Sequence, residues 1–183
     1  MSAPASRFLQ RLDEAVAAAG SAVEADCFRA EQACFLARQG HFDDARTLLD
    51  DLHARYDTRL IIDTSIWINL AEGMMGLYSG DAAVALDRYR RAHALSVAGN
   101  IKPLRALSSA WLAHMALNRR DIVALTLYLT EALSLRQGEH HSTQSRMSLV
   151  TGHSLHIAGR PDLAAPWYAA SHKHASMEHD EAT

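Results

Sequence analysis

A turn-forming position recurs along this chain at Gly40, Gly80, Arg120 and Gly159, at intervals of forty, forty and thirty-nine residues. Five residues after each turn stand Ala45, Ala85, Leu125 and Ala164, and nine after stand Leu49, Tyr89, Leu129 and Tyr168. Twelve after come Leu52, Ala92, Ala132 and Ser171. Arg120 and Ser171 are the imperfect members. Self-similarity at a fixed period restricts a chain to repeat architectures. Each unit leaves one apolar side uncovered and must stack on a neighbour to bury it. The order of small and large residues has its own logic. Small side chains let two helices approach at a crossing, and a large one a turn later fills the space beside it.

Within each block the period is helical. Segments 30–38 and 82–95 carry apolar residues at spacings of three and four, and they are rich in Ala, Leu, Arg and Glu, which favours helix over strand. The pattern predicts nine helices: 5–19, then the pairs 22–39 with 42–55, 60–78 with 81–98, 102–118 with 121–136, and 142–158 with 161–177. Asp81 and Asp121 fall where acidic residues favour a helix start. Pro103 and Pro161 fit first-turn positions, where the missing N–H costs little, and Pro166 lies deeper and is expected to bend its helix. The ends, 1–5 and 176–183, are expected to fray. No linker is evident, so a single domain over residues 1–183 is predicted, with repeats at 22–58, 60–99, 101–138 and 141–177.

Composition narrows the function classes. Hydrophobic residues make up 49% and charged residues 21%, the balance of a folded globular chain. A formal charge of −3 supplies no broad attraction to nucleic acid or anionic lipid, and the cluster Arg88, Arg90, Arg91 reads as a solvated helix face. Residues 1–6 lack the basic start and apolar core of a secretory signal. The most apolar stretch, 60–78, is interrupted by Asp63, Asn69 and Glu72, which argues against a membrane span. A cytoplasmic location is therefore expected. Cys27 and Cys34, seven apart on one helix, would sit roughly 10 Å apart, too far for a disulfide.

The spacing resembles the tetratricopeptide repeat, W-x2-L-G-x2-Y followed by A-x3-F. The first repeat carries Ala33, Leu36, Gly40, Ala45 and Leu49, and the second carries Trp67, Leu70, Ala71, Met74, Ala85 and Tyr89. The third has Ala113, Ala116, Leu125 and Leu129, and the fourth has Gly152, Leu155, Gly159, Ala164 and Tyr168. Two departures stand out. The period is near forty instead of thirty-four, as in long-period variants of bacterial regulatory proteins, and the second repeat fits with two extra residues before Gly80. The resemblance implies an all-α, right-handed superhelical stack of about four hairpins plus an N-terminal helix. It also implies a concave surface lined by the first helix of each pair. Carried over, that surface holds Cys27, Ala30, Cys34 and Arg38; Ile68, Asn69, Glu72 and Met75; Ala110, His114 and Asn118; and Arg146, Leu149, His153 and His156. Its core is Arg38, Asn69, Glu72, Met75, His114, Asn118, Arg146, His153 and His156. The expected role is a scaffold or adaptor for a protein or peptide. The alternative is a regulatory module that senses a small molecule in the groove. Self-association also follows as an expectation, because terminal repeats without a polar cap leave an apolar face.

Catalytic chemistry finds no complete motif. Gly152-His153-Ser154-Leu155-His156 approaches a nucleophile elbow, but its last glycine is replaced by His156 and no strand–helix pattern precedes it. Eleven histidines are present. Among them, His153 and His156 are three apart on one helix and His140 and His141 precede it, yet no H-E-x-x-H or CxxC accompanies them. Asp43–Asp44 and Asp50–Asp51 are neighbours on a helix, pointing about 100° apart. The expectation is a non-enzyme without cofactor or metal.

Overall fold

In the computed structural model the described residues are 7–56, 60–135 and 141–181, and the secondary structure among them is helical throughout. The helices are α1 (Arg7–Ala18), α2 (Ala22–Gln39), α3 (Phe42–Tyr56), α4 (Ile62–Tyr78), α5 (Ala82–Ala98), α6 (Lys102–Asn118), α7 (Ile122–Ser134), α8 (His141–Ile157) and α9 (Pro161–Glu181). The expected helices match within two residues at nearly every described end. Helix α9 continues to Glu181, four residues past the expected end at 177. Pro166 lies inside that helix and does not end it. Residues 1–5 and His140 lie outside the described residues.

The four turns close in the same way. Gly40, Gly80 and Gly159 have φ of 84°, 83° and 75°, and Arg120 takes up the same left-handed conformation at φ 58°. At each, two amides turn back on the helix: Gly40 N–H to Ala37 O and His41 N–H to Leu36 O, Gly80 to Leu77 and Asp81 to Gly76, Arg120 to Leu117 and Asp121 to Ala116, Gly159 to His156 and Arg160 to Leu155. This is the paired 5→2 and 6→1 closure of a helix C-terminus. The next helix starts at once, with the Asp81 and Asp121 carboxylates accepting from Val84 N–H and Ala124 N–H at 3.0 Å. Pro161 opens α9 and Pro103 lies in the first turn of α6.

Two compact units divide the chain, residues 1–100 and 101–183, between the second and third repeats. In the first, α2 pairs with α3, α4 with α5, and α2 packs on α4, while α1 covers α2 through Phe8 and Phe35, whose rings lie 4.8 Å apart. In the second, α6 pairs with α7, α8 with α9, and α6 packs on α8. The repeat positions form the core of each hairpin: Ala45, Ala85 and Ala164 are fully buried, and so are Leu52, Ala92 and Ala132. Ser171 is the polar exception that still fits, because its hydroxyl donates to Ser145 O at 3.0 Å while Ser145 Oγ donates back to Ser171 O.

Register within the hairpins is set by close approach at one level. Gly73 and Gly152 stand seven residues before their turns and sixteen before Tyr89 and Tyr168. A Cβ on Gly73 would come within 2.5 Å of the Tyr89 ring, and one on Gly152 within 2.9 Å of the Tyr168 ring. Ala33 and Ala113, with Leu49 and Leu129, occupy the same sequence positions. The pairing is therefore Ala with Leu, or Gly with Tyr. Gly73, not Ala71, is the small residue of the second repeat. The two extra residues expected before Gly80 are not needed.

Candidate functional site

The corrected register separates the candidate residues. In the second unit, α6 and α8 bring four of them together. The Arg146 guanidinium lies 3.7 Å over the Trp111 ring, and Trp111 meets His114 edge-on at 5.9 Å. Asn118 Nδ2 donates to His114 Nε2 at 3.2 Å. With Nε2 accepting, the ring is neutral and its proton sits on Nδ1, an atom buried without a hydrogen-bond partner among the described residues. Burial, reinforced by the nearby charges of Arg146 and His153, pushes the His114 pKa down to about 4. His153 is exposed and His156 is exposed, and both lie against Tyr168, at 5.5 and 6.4 Å between ring centroids. Leu149, one turn before His153, is half-buried, and Ala110 is fully buried.

In the first unit the candidate residues scatter. Arg38 lies 5.3 Å over the Phe35 ring, with Glu31 one helical repeat before it. Burial pushes the Glu31 pKa up to about 7 against the pull of Arg38. Asn69 is half-buried and its amide donates to Ser65 O at 2.8 Å. Ala30 and Cys34 are core, as is Ile68. Glu72 and Met75, expected among the residues of the first-helix face, instead line a cleft of roughly 530 Å³ built by α3, α4 and α5. There the Glu72 carboxylate accepts from His53 Nε2 at 2.9 Å and pairs with Arg88 Nη1 at 2.9 Å. Phe42, Leu49 and Val84 supply the apolar wall, and Arg46 and Asp50 the rim. Arg88 thus belongs to an ion pair in a cleft and not to a wholly solvated face; Arg91 does pair along its own helix with Asp87. Sequence reasoning missed His53 and Arg88 as partners of Glu72, because they come from other helices. Trp111 was findable, standing three residues before His114, on the same helix face.

Other reactive groups are tied down. Burial first, then the carboxylates of Asp63 and Glu31, push the Cys27 thiol up to about 11, against a hydrogen bond to Thr64. Cys34 is buried, and both cysteines are free thiols. Ser154 lies within α8, where its hydroxyl donates to Val150 O at 2.8 Å, so the elbow-like segment is continuous helix. Among the described residues, no three His, Cys, Asp or Glu side chains converge as a metal site would require, and no helix is long and apolar enough to cross a membrane.

Comparison with protein-family models, with curated proteins and with solved structures finds no match to this chain.

Proposed function

We propose that this chain is a helical-repeat adaptor of the tetratricopeptide kind, holding a protein or peptide segment on the first-helix face of its second unit. One observation carries the reading: Arg146 stacked on Trp111 beside a neutral His114, with Asn118 and His153 exposed on the same two helices. A guanidinium stacked on an indole is held in one orientation and presents a cation with an apolar backing. Asn118 and His153 add donors at the rim. A segment combining an apolar side chain with hydrogen-bond acceptors fits this chemistry best.

The test is affinity capture from native lysate on the immobilised chain, with wild type, Arg146→Ala and His153→Ala compared and thermal stability measured in parallel. A protein enriched by wild type and lost with Arg146→Ala, at a melting temperature within a few degrees, supports the reading. Equal enrichment by both variants overturns it.

A second reading, the sensing of a small molecule, draws on the cleft in the first unit, whose volume lies within the range of small-ligand sites. It predicts that metabolites, not proteins, are captured, and that Glu72→Gln abolishes their retention.

A further inference from the structure

The four second helices of the hairpins occupy equivalent positions, so each serves as a control for the others. At four matched positions only one of them is without a charged residue. Three, six, ten and thirteen residues after the turn, α3 holds Asp43, Arg46, Asp50 and His53; α5, Ala83, Leu86, Arg90 and His93; and α9, Asp162, Ala165, Ala169 and His172. On α7 the same positions hold Val123, Thr126, Thr130 and Leu133, flanked by Ile122 and Leu127. Nine of the thirteen residues of α7 are apolar, yet only Leu125 and Ala132 are buried. Ile122, Val123 and Leu127 are 63%, 82% and 64% exposed, and Leu133 is 37% exposed. Burying the hairpin core does not require this, because each of the other three helices does it with at least one charged residue at the matched positions.

Two hydroxyls of α7 and its one carboxylate are already satisfied from within. Thr126 Oγ1 donates to Ile122 O at 2.8 Å and Ser134 Oγ to Glu131 O at 2.8 Å. Glu131, the one charged residue of the helix, turns inward to Arg105 Nε at 2.8 Å and Ser109 Oγ at 2.6 Å. Removing this face from water therefore strands no charge and strands neither of those two hydroxyls.

We infer that the outer face of α7 is a homodimer interface, packed against α7 of a second copy of this chain about a two-fold axis. A surface without charge meets its own copy without like-charge repulsion, the condition an isologous contact imposes on every residue in it. Thr126 and Thr130 alternate with Val123 and Leu127 and leave room for the larger side chains of the opposing helix. The exposed apolar patch is on the order of 400–500 Å², within the range of the largest patch on a monomer, which is often functional. Two such faces with their rims bury on the order of 1,000 Å², the threshold for a specific interface. The inference does not depend on the peptide-binding face of α6 and α8.

Sedimentation velocity of the full chain across roughly 1–100 μM, the range in which a micromolar dimer dissociates, decides the matter. Wild type is expected to sediment at twice the chain mass at the upper end. Val123→Glu/Leu127→Glu should be monomeric throughout with an unchanged far-UV spectrum, and Val97→Glu, at an exposed position on α5, should remain dimeric. As a readout independent of the charged variant's folding, Leu127→Cys should form an intermolecular disulfide on mild oxidation, and Leu60→Cys, at an equally exposed site, should not. A wild type that stays monomeric at every concentration overturns the proposal. So does a dimer that survives the double substitution, or equal cross-linking at both cysteines.

Discussion

Gly73 lies beneath the ring of Tyr89, so close that a single added methyl would come within 2.5 Å of Cε1 and 2.8 Å of Cδ1. Tyr89 is fully buried, and its ring has nowhere to retreat. The residue that costs α4 helix propensity is the one that lets α5 approach.

Gly73→Ala should therefore destabilise the protein, although alanine gains about 1 kcal/mol of helix propensity over glycine. Overpacking of a closed core costs about 1–3 kcal/mol, so a net loss of up to about 2 kcal/mol is expected in urea denaturation. The double variant Gly73→Ala/Tyr89→Leu recreates the residue pair found at Ala33 and Leu49. It should be more stable than the sum of its single changes. Additive effects would show that the two positions do not share one contact. Gly152→Ala should cost less, because Tyr168 is only half-buried and can shift.

Arg120→Gly should stabilise. Arg120 holds φ 58° where the equivalent turns use glycine, and a left-handed residue with a Cβ costs about 1–2 kcal/mol. The looser unfolded chain offsets part of that gain, leaving about 0.5–1 kcal/mol. Gly40→Ala, with φ 84°, should move stability the other way by a similar amount. A lower denaturation midpoint for Arg120→Gly would contradict this account.

Asp26 is 2% exposed and takes hydrogen bonds from Tyr56 Oη at 2.9 Å, Arg29 Nη1 at 2.6 Å and Arg55 Nη1. Burial pushes its pKa up, but the donors from Tyr56, Arg29 and Arg55 together outweigh it and hold the carboxyl below its ordinary value. The contribution of a group depressed in the folded state is present above the unfolded pKa and is lost as pH falls through the folded one. Asp26→Asn should cost about 1–3 kcal/mol at neutral pH and flatten the acid limb of the stability profile. An unchanged acid limb would remove Asp26 from it.

His114 titrates in a different window. Its folded pKa of about 4 lies below the ordinary 6.5, so between these values the unfolded chain binds more protons than the folded one. Its contribution to stability is complete above about 6.5 and declines as pH falls towards 4. His114→Phe keeps a ring against Trp111 and removes the titration. Chemical denaturation at pH 7.5, 6 and 5 should show a shallower decline for the variant than for wild type, and parallel declines would sink the assignment.

Much of the fold was legible because its information is local. The interval between turns, the small residue five positions later and the aspartates at helix starts are all properties of a few consecutive residues. They marked the described helix ends closely. The register of the second repeat was not legible. Trp67, Leu70 and Ala71 make a better motif than Gly73, and only the ring of Tyr89, sixteen residues on, shows which small residue stands at the crossing. The same slip displaced the candidate site. Glu72 and Met75 moved from the expected face to a cleft among α3, α4 and α5, whereas His114, Asn118, Arg146 and His153 stayed together.

What the chain alone determined is a series of helices closed by left-handed turns, because propensity, capping and amphipathic period act within a few residues and need no partner. What only the tertiary structure decided is which side chains meet: Arg146 on Trp111, Glu72 between His53 and Arg88, and an exposed α7 face without the charge that each of its three counterparts carries. These depend on close approach between helices distant in sequence, where a difference of one methyl group selects the register.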